Sequence, residues 1–184
     1  WSLADPPLDD TVKPGPDAES SSARPRRPGG ELARRPLHFI WIADCSGSMA
    51  AEDFKPRNRF AVAQACVRRF IEGRRAYRIG LLTFAGRCRT VTPLTTDRAM
   101  VLDRLAALKL GEQGDGTAIG MGLGTAIARL KPSQAKSKII VLVTDGANNA
   151  GEIDPETALA IAKALGIRVY TVGVGAAEGP VEIP

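Results

Sequence analysis

The sequence has few of the residues on which most catalytic and metal chemistry depends. It has 184 residues but one histidine, which excludes most histidine-based acid–base chemistry and metal ligation. The three cysteines (Cys45, Cys66 and Cys88) are odd in number and lack CxxC spacing, so neither a disulfide framework nor a zinc site is expected. Aromatic residues make up 5% of the chain, which argues against stacking platforms for nucleic-acid bases.

Other common signals are also missing. The chain has no apolar run of about 18 residues, the length needed for a membrane-spanning helix. A net charge of +5 is too small and too scattered to indicate nucleic-acid binding. There is no Walker A lysine and no G-x-S-x-G elbow. Gly173-Val174-Gly175 with Gly179 imitates a dinucleotide fingerprint, but its spacing is off by one and a turn at a strand end is the better interpretation.

Composition divides the chain into two parts. Residues 1–36 are rich in Pro, Gly and Ser and have no helical or strand period, which predicts a disordered or irregular tail or linker. A basic docking peptide at residues 24–35 is the alternative for this segment. Residues 37–184 have the alternating texture of a folded domain.

Apolar runs typical of buried strands alternate with amphipathic segments of 10 to 15 residues along this second part. The predicted strands are Leu37–Ala43, Arg78–Ala85, Lys138–Thr144 and Arg168–Val174, with one short antiparallel edge strand at Arg89–Thr92. Amphipathic helices are predicted around residues 60–71, 97–108, 117–130 and 155–165. This order predicts an α/β fold, a doubly wound and mostly parallel sheet with helices on both faces. Three glycines should let the third helix approach the sheet closely: Gly120, Gly122 and Gly124.

Oxygen-bearing side chains follow the predicted strands or precede a helix. Asp44, Ser46 and Ser48 come directly after the first strand, Thr117 opens the third helix, and Asp145 follows the third long strand. In parallel sheets the binding crevice lies beyond the carboxyl ends of the strands. We therefore expect these five side chains to meet there.

Two carboxylates and three hydroxyls are hard oxygen ligands. They suit a hard cation that keeps several waters, so Mg²⁺ is the preferred ion and Mn²⁺ the next candidate. Asp44 and Asp145 offset a divalent charge while the other donors are neutral. Such an ion stays electrophilic and would accept an external carboxylate. Asp115 is interpreted as a loop residue supporting Thr117.

The set Asp44-x-Ser46-x-Ser48, Thr117 and Asp145-Gly146 resembles the metal-ion-dependent adhesion site of the von Willebrand factor A domain. The resemblance covers about residues 37–175. It implies a three-layer α/β/α, Rossmann-like fold that binds a protein ligand through its metal and usually does no chemistry. By the same resemblance, the domain at 37–184 would lack the final helix and strand usual in the family.

A narrower likeness is carried by three segments: residues 52–56, 115–123 and 148–155. They resemble the bacterial aerotolerance (BatA-type) proteins, which carry this domain between membrane helices and whose genes often lie beside a MoxR-type AAA+ ATPase. This implies a membrane-associated partner complex in assembly or stress tolerance. Residues 37–49 are more similar to cytoplasmic tellurite-resistance relatives, so a cytoplasmic location stays open.

Several plainer or competing interpretations stay open at this point. Ser46 and Ser48 are alternatively turn residues, Thr117 a helix cap, and Asp145 a turn initiator. Ser46 as a nucleophile would need a base, and the single histidine, His38, lies about 25 Å away along the predicted strand. A Mg²⁺-dependent aspartyl phosphotransferase centred on Asp44 is the enzyme alternative. A structural interaction domain with a vestigial metal site is the other class.

Overall fold

The computed structural model describes residues 37–73 and 77–175. Five strands lie in these residues: β1 (Leu37–Asp44), β2 (Tyr77–Phe84), β3 (Cys88–Thr95), β4 (Ser137–Thr144) and β5 (Ile167–Gly173). The four α-helices are α1 (Arg59–Glu72), α2 (Arg98–Ala106), α3 (Ile119–Leu130) and α4 (Pro155–Ala164), and a 3₁₀ turn at Gly47–Ala50 follows β1. The predicted tail at 1–36 and Gly179 lie outside the described residues.

The strands form a single sheet in the order β3-β2-β1-β4-β5. β1 pairs in parallel with β2 and with β4, β4 pairs in parallel with β5, and β3 runs antiparallel to β2. This confirms the predicted mostly parallel sheet with one antiparallel edge strand. The chain order reverses between β1 and β4, which makes the carboxyl ends of those two strands the expected crevice.

Side chains alternate across β1 and separate the core into two halves. Phe39 and Trp41 pack into a cluster with residues of α1 and α2, whereas Ile40 and Ile42 pack into a second cluster with α3 and α4. The Phe70 ring from α1 lies with its centroid 5.2 Å from that of Phe39 and 5.1 Å from that of Trp41. The sheet is thus the middle of three layers, because a strand with apolar residues on both faces must be covered on both.

The edge strand is longer than the sequence indicates. The short strand predicted at Arg89–Thr92 extends over Cys88–Thr95, with register irregularities against β2. Pro93 interrupts the strand pattern in the sequence. An edge strand tolerates proline because one side of its backbone needs no ladder partner.

The glycines of α3 do not all serve the predicted purpose. Only Gly122 faces the sheet, where an added Cβ would lie 3.3 Å from Ile42 Cγ2. A Cβ on Gly120 would lie 1.8 Å from the carbonyl oxygen of Ile153, and one on Gly124 would lie 3.0 Å from Ile153 Cδ1. The prediction that all three glycines let α3 approach the sheet was therefore wrong, because two of them face the segment that precedes α4 and let it approach the helix instead.

Among the described residues, no helix combines the length and the hydropathy needed to cross a membrane.

Candidate metal site at the carboxyl edge of the sheet

Asp44 ends the central strand and is fully buried. Its Oδ1 accepts a hydrogen bond from the Ser46 backbone N–H at 2.8 Å, and its Oδ2 accepts one from the Thr144 hydroxyl at 2.5 Å. Thr144 ends the neighbouring β4, so the carboxylate is fixed by the turn that follows its own strand and by the adjacent strand. Thr144 is a contributor that the motif pattern in the sequence did not identify.

Opposing effects act on the acidity of Asp44. Burial raises the pKa of this carboxyl above its ordinary value, and the nearby negative charge of Asp145 adds to the increase. Hydrogen bonds from Ser46 and Thr144 oppose the increase in pKa. A cation beside Asp44 would favour the charged carboxylate. The site is therefore one where a positive ion relieves an electrostatic cost.

The two serines of the turn contact each other and reach the end of β4. Their Oγ atoms lie 3.1 Å apart, and the Ser48 hydroxyl donates to Asp145 Oδ1 at 2.8 Å. Ser46 precedes the 3₁₀ turn, but its side chain makes no capping hydrogen bond there. Local turn chemistry therefore does not account for these hydroxyls, which are directed to one another and to a residue 97 positions away.

The Asp145 side chain is fully buried although it carries a charge. Besides the bond from Ser48 to Oδ1, its Oδ2 accepts from an Arg59 Nη at 2.8 Å. The Arg59 Nε also donates to Asp53, at 2.9 Å from Oδ2. Sequence reasoning missed Arg59. Its available signal was a cation at the first position of a helix, where the helix dipole disfavours positive charge.

Thr117 lies two residues before α3. Ala118 occupies the N-cap position of that helix and no side chain caps it there, so Thr117 is not the helix cap that the sequence allowed. Its Oγ1 and Cγ2 each lie 4.0 Å from the position that a Cβ on Gly146 would take. This buried threonine is therefore beside the residue that follows Asp145.

Asp115 supports the loop before α3 through its backbone. A Cβ on Gly86 would lie 2.1 Å from the Asp115 carbonyl oxygen, so only glycine at position 86 lets the two loops meet. The Asp115 residue itself is exposed. This agrees with its interpretation as a loop residue, whose packing helps to hold the segment that leads to Thr117.

Taken together, four of the five predicted residues form one contact network, and the fifth borders it. Asp44, Ser46, Ser48 and Asp145 are connected in sequence by direct hydrogen bonds, and Thr117 lies against Gly146. No three or more His, Cys, Asp and Glu side chains cluster as a metal site within 37–73 and 77–175. An ion here would need neutral oxygen donors, such as hydroxyls, beside the two carboxylates, and such a donor set fits a hard cation.

An open groove lies next to Asp145. It has a volume of about 480 Å³ and is lined by residues at the ends of β4 and β5, namely Thr144, Asp145, Gly146, Thr171, Gly173, Val174 and Gly175. The two loops stay together because the Val174 N–H donates to the Thr144 carbonyl oxygen at 3.0 Å. Space for part of a ligand is thus available beside the carboxylates.

A nucleophilic role for Ser46 or Cys45 finds no support in the described groups around β1. His38 is the second residue of β1, at the opposite end of the strand from Asp44, and its Nδ1 lies 2.7 Å from the Ser133 Oγ. Cys45 is fully buried, and burial together with the Asp44 charge raises the pKa of its thiol to about 12. Neither residue provides a base or a thiolate nucleophile near Ser46 at neutral pH.

Comparison with known proteins identifies the family. The model of the von Willebrand factor type A domain matches residues 40–180. An uncharacterised protein of Borreliella burgdorferi is 35% identical over 76% of this chain, which spans 41% of that relative's length.

Solved structures include an aerotolerance-related membrane protein of Bacteroides fragilis, 31% identical, with TM-score 0.69 over 81% of this chain and 72% of that one. BatB of Bacteroides thetaiotaomicron is 31% identical, with TM-score 0.68 over 80% of this chain and 71% of that one. The family match covers the four helices, all five candidate residues and the sheet except for the first three residues of β1. This chain belongs to the von Willebrand factor type A domain family.

Proposed function

We propose that Asp44, Ser46, Ser48, Thr117 and Asp145 hold a divalent cation, Mg²⁺ in preference to Mn²⁺, and that the domain presents it to a carboxylate of a partner protein without catalysing a reaction. The observation that carries the proposal is the Ser48–Asp145 hydrogen bond. It joins the turn after β1 to the end of β4 and brings hydroxyl and carboxylate oxygens to one point at the strand switch.

Charge and ligand type support the choice of ion and of ligand. Two carboxylates balance a divalent ion, and the remaining donors are neutral hydroxyls, so the ion would keep the ability to attract a further anionic oxygen. The groove beside Asp145 offers room for the segment that carries such an oxygen. A Glu or Asp side chain of a protein is the ligand that this arrangement suits.

The setting of the protein is proposed from its relatives. Two solved structures with 31% identity are an aerotolerance-related membrane protein and BatB. We take residues 37–184 as the domain and residues 1–36 as its linker. We propose that the domain acts in a membrane-associated complex of Bat-like proteins, with a MoxR-type ATPase as a candidate partner.

Calorimetric titration with MgCl₂, repeated with MnCl₂, tests the metal site. The wild-type protein should bind one ion, and Ser46→Ala combined with Ser48→Ala should abolish binding because both hydroxyl donors are removed. Ser137→Ala, at the opposite end of the sheet, is the matched control and should bind normally. Circular dichroism must show that the double variant remains folded. Unchanged affinity in the double variant would refute the assignment.

Partner binding needs a separate test. The immobilised domain is offered a lysate in Mg²⁺ or in EDTA, and captured proteins are identified. Capture should require Mg²⁺ and should be lost with Asp145→Asn. A partner retained equally in EDTA would mean that the domain is an interaction scaffold in which the ion has no role.

A further inference from the structure

Arg59 is the one cation with a described ion pair to a candidate ligand within residues 37–73 and 77–175. Its Nη1 lies 2.8 Å from Asp145 Oδ2, and its Nε lies 2.9 Å from Asp53 Oδ2. The side chains are 14% exposed for Arg59, 0% for Asp145 and 4% for Asp53. The guanidinium is therefore held between two buried carboxylates, where water screens its charge only weakly.

The position of Arg59 is unfavourable for a cation on local grounds. It is the first residue of α1, whose N-cap is Asn58, and no acidic residue stands in the first turn. The positive end of a helix dipole disfavours a guanidinium at this point. The two carboxylates outweigh that cost. The ion pairs with Asp53 and Asp145, and not the helix itself, therefore account for a cation at this position.

The guanidinium also lies at the meeting point of three loops. An added Cβ on Gly175, just beyond β5, would lie 3.7 Å from Arg59 Cζ. The Asp53 loop and the Asp145 loop provide the other two sides. An arginine keeps its charge at every physiological pH, so this positive charge is permanent and lies in direct contact with a candidate metal ligand.

We propose that Arg59 is a built-in competitor of the divalent ion: its guanidinium occupies Asp145 and thereby lowers the affinity of the site for metal. The identity of the ion rests on the proposed function, whereas the competition rests on the Arg59 contacts. A site weakened in this way would load and unload at higher free-ion concentrations than the same ligands without the arginine.

Titration with MnCl₂ tests the competition, with four variants beside the wild type. Arg59→Gln removes the charge and should tighten Mn²⁺ binding by at least about tenfold, because a unit positive charge strongly repels a divalent ion where water screens it only weakly. Arg59→Lys keeps the charge and should stay within about threefold of the wild type. Arg57→Gln makes the same charge change at an exposed site two residues away and should have no effect.

The fourth variant combines Asp53→Asn with Arg59→Gln. It leaves the net charge unchanged and removes the Asp53 carboxylate together with the Arg59 charge that it pairs with, so it remains informative if Arg59→Gln alone fails to fold. Its binding should still be tighter than that of the wild type, because Asp145 is released. Unchanged or weaker binding in Arg59→Gln, or in the combined variant, overturns the proposal. Equal tightening by Gln and Lys overturns it too.

The proposed function and this inference fail in distinguishable ways. A wild type that binds metal while Arg59→Gln binds no better sustains the metal site and refutes the competitor. If the wild type binds no Mn²⁺ but Arg59→Gln does, the arginine takes the place of the ion in the native protein. The proposed function then fails and the competitor stands. Absence of binding in every variant overturns both.

Discussion

Thr117 and Asn149 hold each other through two hydrogen bonds. The Thr117 N–H donates to Asn149 Oδ1 at 2.7 Å, and the Asn149 N–H donates to the Thr117 carbonyl oxygen at 3.1 Å. The loop before α3 is thereby fixed to the loop after β4. Thr117 reaches the neighbourhood of Gly146 because of this reciprocal contact, so Asn149 positions a candidate ligand without needing to touch the ion.

Asn149→Ala should weaken Mg²⁺ binding by about tenfold, the usual scale for losing a group that orients a ligand. It should also destabilise the fold by about 1–3 kcal/mol, because the Thr117 N–H loses its acceptor. Calorimetry and urea unfolding measure the two effects. Asn148→Ala is the matched control. Its Oδ1 accepts from the Gly120 N–H at 3.3 Å, so a smaller loss is expected. Equal metal affinity in both variants would contradict the role of Asn149.

Gly120→Ala should cost about 1–3 kcal/mol, the range for overpacking, because its Cβ would overlap the Ile153 carbonyl oxygen. The midpoint of urea unfolding measures the loss. Gly47→Ala adds a Cβ with nothing within 4 Å and should change stability by no more than about 0.5 kcal/mol. If the two alanine variants are equally stable, α3 and the segment before α4 are not in the close contact described above.

The domain should not hydrolyse p-nitrophenyl phosphate in the presence of Mg²⁺, because Ser46 stands where an aspartyl phosphotransferase needs a proton-donating acid. Absorbance at the wavelength of the released phenolate provides the assay. Turnover by the purified protein that disappears in Asp44→Asn would establish the phosphotransferase alternative. Turnover that persists in Asp44→Asn would indicate a contaminant.

His38 should make stability depend on pH below its ordinary pKa of 6.5. Burial, with a contribution from the Arg78 charge, lowers the pKa of His38 in the folded protein. Arg78 on β2 and Lys138 on β4 both pair with its position in the sheet. Because the unfolded chain binds the proton more readily, this stabilisation is complete above pH 6.5 and is lost as the pH falls through the folded-state pKa.

His38→Gln lacks this titration, so the wild type is compared with this variant at each pH. The difference in unfolding free energy between wild type and variant should be constant at pH 7–8 and should shrink below pH 6.5. Urea unfolding at half-unit pH intervals measures it. Profiles that run parallel down to pH 5 would show that the buried His38 does not contribute.

The sequence predicts the layers and most of the strand boundaries because buried parallel strands need apolar residues on both faces. It also predicts that Asp44, Ser46, Ser48 and Asp145 lie close together, since residues directly after parallel strands share one edge of the sheet. Their role as metal ligands is still a prediction. Thr117 is harder to place, because its position depends on how the loop before α3 folds back.

Arg59, Thr144 and Asn149 escaped prediction for a physical reason. Each acts through a partner that is distant in sequence: Asp145, Asp44 and Thr117 respectively. A local sequence pattern does not indicate which distant residue an arginine at a helix start or an asparagine in a loop will contact. The glycines of α3 were misassigned for a related reason, since a small residue predicts a close approach but not which segment approaches.

The hydroxyl of Thr144 on the buried Asp44 carboxylate has a consequence for folding fidelity. β4 pairs with β1 so that Val143 is opposite Ala43. A slip of one position along the strand turns every side chain to the other layer, which would remove the Thr144 hydroxyl from Asp44 and leave that carboxylate without one of its hydrogen-bond donors. A sheet with the wrong register therefore could not form the Asp44–Thr144 contact. An intact contact requires that β1 and β4 are paired in the native register.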